Sequence, residues 1–198
     1  MINSSTEYFE QTFCELNNQQ LEISLSTFHD CVFDRCNFSE AIINNSRFLN
    51  CKFINCDLSL MKVPGSSFSG VHFSKCKIIG VNWVQAYWPG SGIWEPLEFS
   101  NCDLNHSTFL GVDLEGSKIN RCGAINVDFR EARLSNVDFS FTDLNESLFH
   151  ATDLVSSDFS NARNYEIDPT KNNIKHAKFS IPEVMSLLYS MEIEIRET

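Results

Sequence analysis

The residues of this chain that most resemble the parts of a chemical site are its eight cysteines. Several of them recur twenty residues apart: Cys31 with Cys51, Cys36 with Cys56 and Cys76, and Cys102 with Cys122. Regular thiol spacing raises two chemical possibilities, a set of disulfides or a zinc site. Which of them applies depends on the backbone that positions the cysteines. The eighth, Cys14, lies outside this spacing and has no predicted role.

Other residue types give no indication of catalysis. The five histidines form no recurring column and no pair with metal-ligand spacing, and no glycine-rich phosphate loop is present. Serine and aspartate are abundant throughout, so a chance triad of them would be weak evidence. We therefore expect a protein that is not an enzyme and that uses no cofactor or metal.

Acidic side chains are the third chemical feature, and they are concentrated in the second half of the chain. The formal net charge is −11. Residues 23–83 carry six basic and four acidic groups, whereas residues 99–159 carry four basic and ten acidic groups. Seven aspartates each directly precede an apolar residue and are predicted to point outward: Asp103, Asp113, Asp128, Asp138, Asp143, Asp153 and Asp158.

The fold that positions these residues is indicated by a five-residue periodicity of apolar residues, which we call the apolar beat. An apolar residue, bulky everywhere except at Ala124, occupies every fifth position from Ile23 to Trp83 and, after a slip of one residue, from Phe99 to Phe159. A small residue lies two positions before most of these centres. A beat of five is neither helical nor β-alternating, and it is typical of a solenoid. Residues twenty positions apart are often of the same type, as are Phe33, Phe53 and Phe73.

The cysteines can now be interpreted. Parallel side chains one strand spacing apart hold their Cβ atoms ~4.8 Å from each other, beyond the ~3.8 Å typical of a disulfide. Neighbouring columns inside a packed coil also point at apolar rings and do not converge as a tetrahedral zinc site requires. The pattern therefore favours buried thiols that behave as small hydrophobic residues.

Two of the units, Ala-Arg-Leu-Ser-Asn at 132–136 and Thr-Asp-Leu-Asn-Glu at 142–146, resemble the A(D/N)LXX consensus of the pentapeptide repeat family. The resemblance covers residues 23–163. It implies an all-β solenoid, a right-handed quadrilateral β-helix in which four pentapeptides make one square turn of twenty residues. Six and a half such turns at ~4.8 Å each predict a rod on the order of 30 Å long.

The domain boundaries follow from the beat. Residues 1–22 are predicted to form an N-terminal cap, residues 23–163 the β-helix, and residues 164–198 a C-terminal cap or dimerisation module with a short helix and a strand. Ser180 and Glu183 have capping-box spacing, which predicts a helix over about 181–190. Residues 191–196 alternate as a strand would. The predicted contacts of a dimer are Val184, Leu187, Leu188, Met191, Ile193 and Ile195.

The beat is interrupted at 84–98, where prolines, glycines and tryptophans are concentrated. Two interpretations remain open: an in-line bulge of one residue, or a loop that leaves the rod and offers aromatic side chains to a partner. The candidate contacts in the second case are Trp88, Pro89, Trp94 and Glu95.

Within the family, the chain looks most like the albicidin- and microcin-immunity members, and more distantly like the plasmid quinolone-resistance members. The resemblance is carried by residues 55–60, by Gly80-Val81-Asn82-Trp83 with Trp88-Pro89, and by the C-terminal module. It implies a homodimer, joined through its C-termini, that resembles DNA and binds DNA gyrase, with topoisomerase IV as a further target. The polar N-terminus, which does not resemble a signal peptide, separately predicts a cytoplasmic protein. Quinolone-resistance members carry larger loops than this chain, which favours an albicidin-like poison.

Two alternatives accompany this expectation. The aspartates are explained equally well as a solvating feature of the repeat consensus. The chain as a whole is also consistent with a structural scaffold that binds some other protein, because the fold alone licenses no function. No direct contact with nucleic acid is expected. No membrane contact is expected either, since no apolar run approaches the length of a membrane span.

Overall fold

A computed structural model describes residues 2–17, 19–89, 94–191 and 193. Its backbone is a β-solenoid of about eight turns with one short helix near the C-terminus, as the apolar beat predicts. All strand pairs are parallel, and each strand is two or three residues long. Eight turns at a rise of ~4.8 Å give a rod on the order of 40 Å long.

The strands are β1 (Glu7–Phe9), β2 (Thr12–Cys14), β3 (Glu22–Ser24), β4 (Thr27–His29), β5 (Val32–Asp34), β6 (Ile42–Asn44), β7 (Arg47–Leu49), β8 (Lys52–Ile54), β9 (Ser67–Ser69), β10 (His72–Ser74), β11 (Glu98–Ser100), β12 (Lys118–Asn120), β13 (Asp158–Phe159) and β14 (Lys178–Phe179). Two 3-10 helices span Trp83–Gln85 and Glu183–Met185, and α1 spans Ser186–Tyr189. One sheet has the order β1-β4-β7-β9, and a longer one runs β12-β11-β10-β8-β5-β2.

The pairing register is twenty residues, so equivalent side chains lie directly above one another. Phe33 pairs with Phe53 and Phe53 with Phe73, and their rings stack at centroid distances of 4.5 and 5.1 Å. The same ladder continues to Phe13 below and Phe99 above. Burial of one such ring stabilises the fold by on the order of 2–3 kcal/mol. Because each ring has identical neighbours above and below, each further coil adds a similar contribution.

Four faces result, and we number them in chain order by their central residues below and above the break. Face 1 has Phe28, Phe48 and Phe68, then Leu114, Leu134 and Leu154. Face 2 has Phe33, Phe53 and Phe73, then Phe99, Ile119 and Phe139. Face 3 has Phe38, Leu58 and Ile78, then Leu104, Ala124 and Leu144. Face 4 has Ile43, Val63 and Trp83, then Phe109, Phe129 and Phe149.

Each corner of the square is made by the residue two positions after a centre, which adopts a left-handed backbone conformation. Arg35, Asn55 and Lys75 have φ angles of 53°, 53° and 55°. This conformation is unfavourable for residues with a Cβ atom. It is compensated because the corner N–H donates to a carbonyl one coil above, as from Arg35 to Ile54 at 2.9 Å. At Gly80 a Cβ atom would lie 2.8 Å from Cδ2 of Leu60, so the exposed Leu60 side chain would have to shift to make room for it.

The small inward residues are hydrogen-bond donors as well as spacers. The thiols of Cys56 and Cys76 donate to the carbonyls of Phe33 and Phe53 one coil below, both at 3.3 Å. The Ser66 hydroxyl does the same to Ile43 at 2.7 Å. Burial raises the pKa of the Cys51 thiol to about 12, which keeps it protonated and able to donate. The prediction that the thiols behave as small hydrophobic residues did not include this axial hydrogen bond to a carbonyl of the coil below.

The break is an insertion of six residues into face 1. Below it the pairing offset is 20, but His72 pairs with Glu98 and Asn82 with Thr108 at an offset of 26. Tyr87 still bonds to Ser66 in normal register, whereas Gly70 bonds to Glu95, so the additional residues lie between positions 87 and 95. The interpretation as a bulge of one residue is wrong. The insertion consists of one residue plus a whole pentapeptide, and the pentapeptide leaves a five-residue periodicity unchanged, so only the single residue shows in the sequence.

The solenoid is longer at both ends than the sequence-based boundaries of 23 and 163. Glu7 already pairs with Thr27, and Phe159 still pairs with Phe179. The N-terminal segment 1–22 is therefore mostly a first coil, in which Tyr8 stacks on Phe28 at 4.9 Å. The sequence prediction ended early because the beat weakens at both ends, and Asn18, where it fails, lies outside the described residues.

The C-terminal helix forms where it is predicted, but its capping box does not. The Ser180 hydroxyl accepts the N–H of Asn161 at 3.1 Å, and the Glu183 carboxylate accepts the N–H of Asn164. Both side chains thus satisfy backbone groups of the last coil, which has no further coil above it, instead of capping their own helix. The predicted strand at 191–196 lies outside the described residues except for Met191 and Ile193, which are not in a strand.

Phe139 and Phe141 provide a matched test of this architecture. Phe139 is fully buried and stacks on Phe159 at 5.0 Å. Phe141 lies at a corner, 48% exposed, with the guanidinium carbon of Arg121 from the coil below 4.3 Å from its ring centre. We expect Phe139→Ala to lower the free energy of unfolding by about 3–5 kcal/mol and Phe141→Ala by less than about 1 kcal/mol. Urea denaturation followed by circular dichroism measures both. Equal losses would contradict the inward and outward assignment of these two rings.

Candidate partner-binding surfaces

The seven aspartates predicted to point outward are distributed over all four faces. Asp113 and Asp153 lie on face 1, Asp138 and Asp158 on face 2, Asp103 and Asp143 on face 3, and Asp128 on face 4. Every one of them is partly exposed. They surround the upper half of the rod and form no single stripe.

Each of these carboxylates also has a structural task. Every one accepts the backbone N–H of the residue two positions further on, at 2.9 to 3.3 Å. Asn37 and Asp57 make the same bond to Ser39 and Ser59 in the lower half. This Asx-type turn leads the chain from the face into the corner. The repeat consensus is thus explained by local hydrogen bonding, and the charge is additional to it.

Four of the seven form ion pairs with neighbouring cations: Asp113 with Arg133, Asp128 with Arg130, Asp143 with Arg163, and Asp158 with Lys178. The hydrogen bond from Arg130 lowers the pKa of Asp128. Burial opposes the ionisation of Asp158, but hydrogen bonds from Ser160 and Lys178 outweigh it and lower the pKa of that carboxyl. Such exposed pairs contribute little to stability, but they partly neutralise the surface.

Asp103, Asp138 and Asp153 form no ion pair within the part of the chain that the structure describes. Asp153 accepts hydrogen bonds from the neutral side chains of Ser135 and Asn173 at 2.9 and 3.1 Å. Asp138 is adjacent to Asp158 in the ladder of face 2. These three carboxylates therefore carry the least compensated negative charge among the predicted seven.

The first coil adds negative charge that the half-by-half count did not reveal. Glu7, Glu10, Glu15 and Glu22 lie in it, and residues 1–22 contain no lysine or arginine. All four are exposed. The N-terminal tip of the rod is acidic, although the sequence analysis treated the lower half as nearly neutral.

The two tryptophans of the break are partly buried and contact each other. The Trp88 indole N–H donates to the Trp83 carbonyl at 2.8 Å, and its ring is 5.6 Å from that of Trp94. Both tryptophans are half-buried, whereas Tyr87 is 60% exposed. Pro89 is partly exposed and Glu95 exposed, while residues 90–93 lie outside the described part of the chain. Tyr87 is an accessible ring that the sequence analysis did not select.

The C-terminal contacts predicted for a dimer separate into two groups. Leu187 is buried and Val184 packs against the core, so both close the end of their own solenoid. Leu188, Met191 and Ile193 are exposed, while Ile195 lies outside the described residues. The sequence analysis also missed Ile181 and Tyr189, which are 86% and 62% exposed. Five apolar side chains thus remain open to solvent at this end.

Two absences hold for the described ranges. In them no group of three or more histidine, cysteine or acidic side chains is arranged to hold a metal ion. No helix in those ranges has the length and apolar character needed to cross a membrane.

Comparison with known families agrees with the geometry. The profile of a pentapeptide repeat region matches residues 26–109, and the profile of pentapeptide repeats in eight copies matches residues 98–136 and 132–163. Together these matches cover more than half of the chain. The chain belongs to the pentapeptide repeat family.

Solved structures of other pentapeptide repeat proteins share its fold. A trypsin-treated form of QnrB1, a plasmid-mediated fluoroquinolone resistance protein, is similar with a TM-score of 0.73 and 17% identity, over 96% of this chain and 100% of that one. Full-length QnrB1 gives a TM-score of 0.61 at 17% identity, over 94% and 100%. At these identities the likeness concerns the fold. No match is found among curated protein sequences.

Proposed function

We propose that this pentapeptide repeat protein binds DNA gyrase in place of duplex DNA and protects the enzyme from a topoisomerase poison, without catalysing a reaction itself. The observation that carries the proposal is the placement of carboxylates on every face of the β-solenoid. Topoisomerase IV is the second candidate target. Because these enzymes act on the bacterial chromosome, the proposal places the protein in the cytoplasm.

The density of charge supports substitution for DNA. Residues 99–159 carry ten acidic and four basic groups. They occupy about three coils, or roughly 15 Å of rod, so one net negative charge falls every ~2.5 Å, against one per ~1.7 Å for duplex DNA. A basic groove shaped for a duplex would attract such a rod at long range and lose that attraction as salt is added.

The proposal includes a homodimer joined at the C-terminal ends. Leu188, Tyr189, Met191, Ile193 and Ile181 are exposed together at the closed end of the solenoid, and apolar side chains grouped in this way are typical of an interface. A two-fold axis there would place the acidic upper halves of both chains end to end and double the length of the negative surface.

Sedimentation velocity tests the dimer. We expect the wild type to sediment as a dimer at micromolar concentration, and a Leu188→Glu, Ile193→Glu variant to be monomeric because two carboxylates would be buried at the axis. Leu25→Glu is the control, since Leu25 is also an exposed leucine but lies in the first coil, at the opposite end of the rod. A monomeric wild type, or a dimer unaffected by the paired substitution, would remove the dimer from the proposal.

The second proposed contact is the aromatic segment at the break. Tyr87, Trp94 and Glu95 lie at the six-residue insertion on face 1. Tyr87 is exposed and Trp94 partly exposed, and accessible aromatic rings are favoured contacts in interfaces. The segment lies directly below the acidic half, so a partner that grips the carboxylates can reach it.

The aspartate turns permit a clean test of the charge. Asp103→Asn, Asp138→Asn and Asp153→Asn together remove three carboxylates but keep an oxygen that accepts the N–H two residues on, so the fold should be unchanged. The control carries Asp30→Asn, Asp34→Asn and Asp57→Asn, with the same change of net charge in the lower half. In a gyrase supercoiling assay with a poison, we expect the first variant to need about tenfold more protein for the same protection and the control to resemble the wild type.

Two results would contradict the proposal. If wild-type protein leaves gyrase and its poisoned complex unaffected at every concentration and salt level, the scaffold alternative stands. If both triple variants lose protection equally, net charge and not the placement of the carboxylates determines binding. A further variant, Tyr87→Ala with Trp94→Ala, reports separately on the aromatic segment.

A further inference from the structure

The charge along the rod changes sign twice, so that the rod has three segments and not two halves. Residues 1–45 contain seven acidic and one basic residue, and residues 86–163 contain twelve acidic and five basic ones. Between them, residues 46–85 contain five basic residues and a single carboxylate, that of Asp57. We call the five cations the cationic belt: Arg47, Lys52, Lys62, Lys75 and Lys77.

The cations of the belt are exposed and have no acidic partner. None of the five forms an ion pair with any carboxylate in the described ranges, and all five are solvent-exposed. Elsewhere in the chain most cations are paired: Arg35, Lys118, Arg130, Arg133, Arg163, Lys171 and Lys178. Asp57 and Asp103 lie below and above Lys77 in the ladder of face 3, but neither forms an ion pair with it.

The belt surrounds the rod within two coils. Arg47 lies on face 1, Lys52 on face 2, Lys77 on face 3 and Lys62 on face 4. Lys75 occupies the corner between faces 2 and 3 at φ 55°. Two coils correspond to about 10 Å along the axis, so the belt is narrow, with acidic surface immediately above and below it.

A surface depression lies in the belt where it crosses face 4. Its volume is about 400 Å³, and Lys62, Asn82 and Gln85 line it together with Leu60 and Met61. Lys62 and the two amides supply donors for a carboxylate, and Leu60, which is 54% exposed, supplies an apolar side. Glu40 is the one acidic residue in the lining, and it is already bonded to Gln20.

We propose that the cationic belt binds a short acidic peptide segment of a partner protein that crosses the rod at residues 46–85. Its width selects the ligand: the Debye length is about 8 Å at physiological salt, so a ligand confined to the belt is attracted, and a longer polyanion meets the flanking carboxylates. A nucleic-acid strand carries its charge continuously along its length and is therefore disfavoured. The inference does not depend on gyrase being the partner.

Fluorescence anisotropy with a labelled hexaglutamate peptide tests the belt. We expect the wild-type protein to bind the peptide at low salt, and a Lys52→Gln, Lys75→Gln, Lys77→Gln variant to bind at least tenfold more weakly. The matched control is Lys118→Gln, Lys175→Gln, Lys178→Gln, which has the same net charge but leaves the belt intact, and its affinity should stay within about twofold of the wild type. All six lysines are exposed, so circular dichroism should show both variants folded.

Three outcomes would overturn the inference: no binding of the peptide by the wild type, equal loss in both variants, or tighter binding of a twenty-nucleotide oligothymidylate than of the peptide. The last would make the belt a nucleic-acid site. None of these outcomes affects the gyrase assay above, because the peptide experiment contains no topoisomerase.

Discussion

In-register stacking of equivalent side chains, one coil above the next, is the constraint on which the whole molecule depends. The twenty-residue offset places ring on ring, as in the ladder from Phe13 to Phe99. The same offset aligns the thiol and hydroxyl donors with the carbonyls below them and the corner N–H groups with the carbonyls above. The same periodicity therefore buries the apolar side chains and pairs the buried backbone groups in hydrogen bonds. A change of register would disrupt both.

The apolar beat predicted the fold because it reports directly on which side chains point inward. Phe33, Phe53 and Phe73 lie where their spacing places them. The break was predicted less well, since an insertion of six residues shifts a five-residue beat by only one, and counting by fives does not distinguish it from a bulge. The ends were also underestimated, because Ser180 and Glu183 bond to the last coil and the sequence analysis matched them to a helix cap.

The candidate surfaces were predictable in position but not in arrangement. The sequence identified the aspartates before each centre, yet only the coil shows that they lie on four faces and that each accepts an N–H two residues on. Leu187 was selected for a partner surface from its apolar character, and it is buried instead, because helical spacing alone does not say which side faces the solenoid. Tyr87 was overlooked because exposure is a tertiary property.

In a periodic scaffold of this kind, the surface charge can be described by its position along the axis of the rod. Acidic tip, cationic belt and acidic upper half follow one another at intervals of a few coils, and the backbone beneath them is uniform. Function can then be altered by exchanging outward residues, while the inward ones preserve the rod. The aspartates are outward residues that cannot be exchanged freely, because their carboxylate oxygens also accept the backbone hydrogen bonds of the turns.

Deletion of whole coils tests the central claim most directly. Removing residues 119–138, twenty in number, should leave every later side chain in register, so the shortened protein should retain a β-rich circular dichroism spectrum and a single cooperative thermal transition. Removing only residues 119–136 deletes less chain but displaces the beat by two, and it should abolish that transition. Similar behaviour of the two deletions would contradict a fold held together by the twenty-residue register.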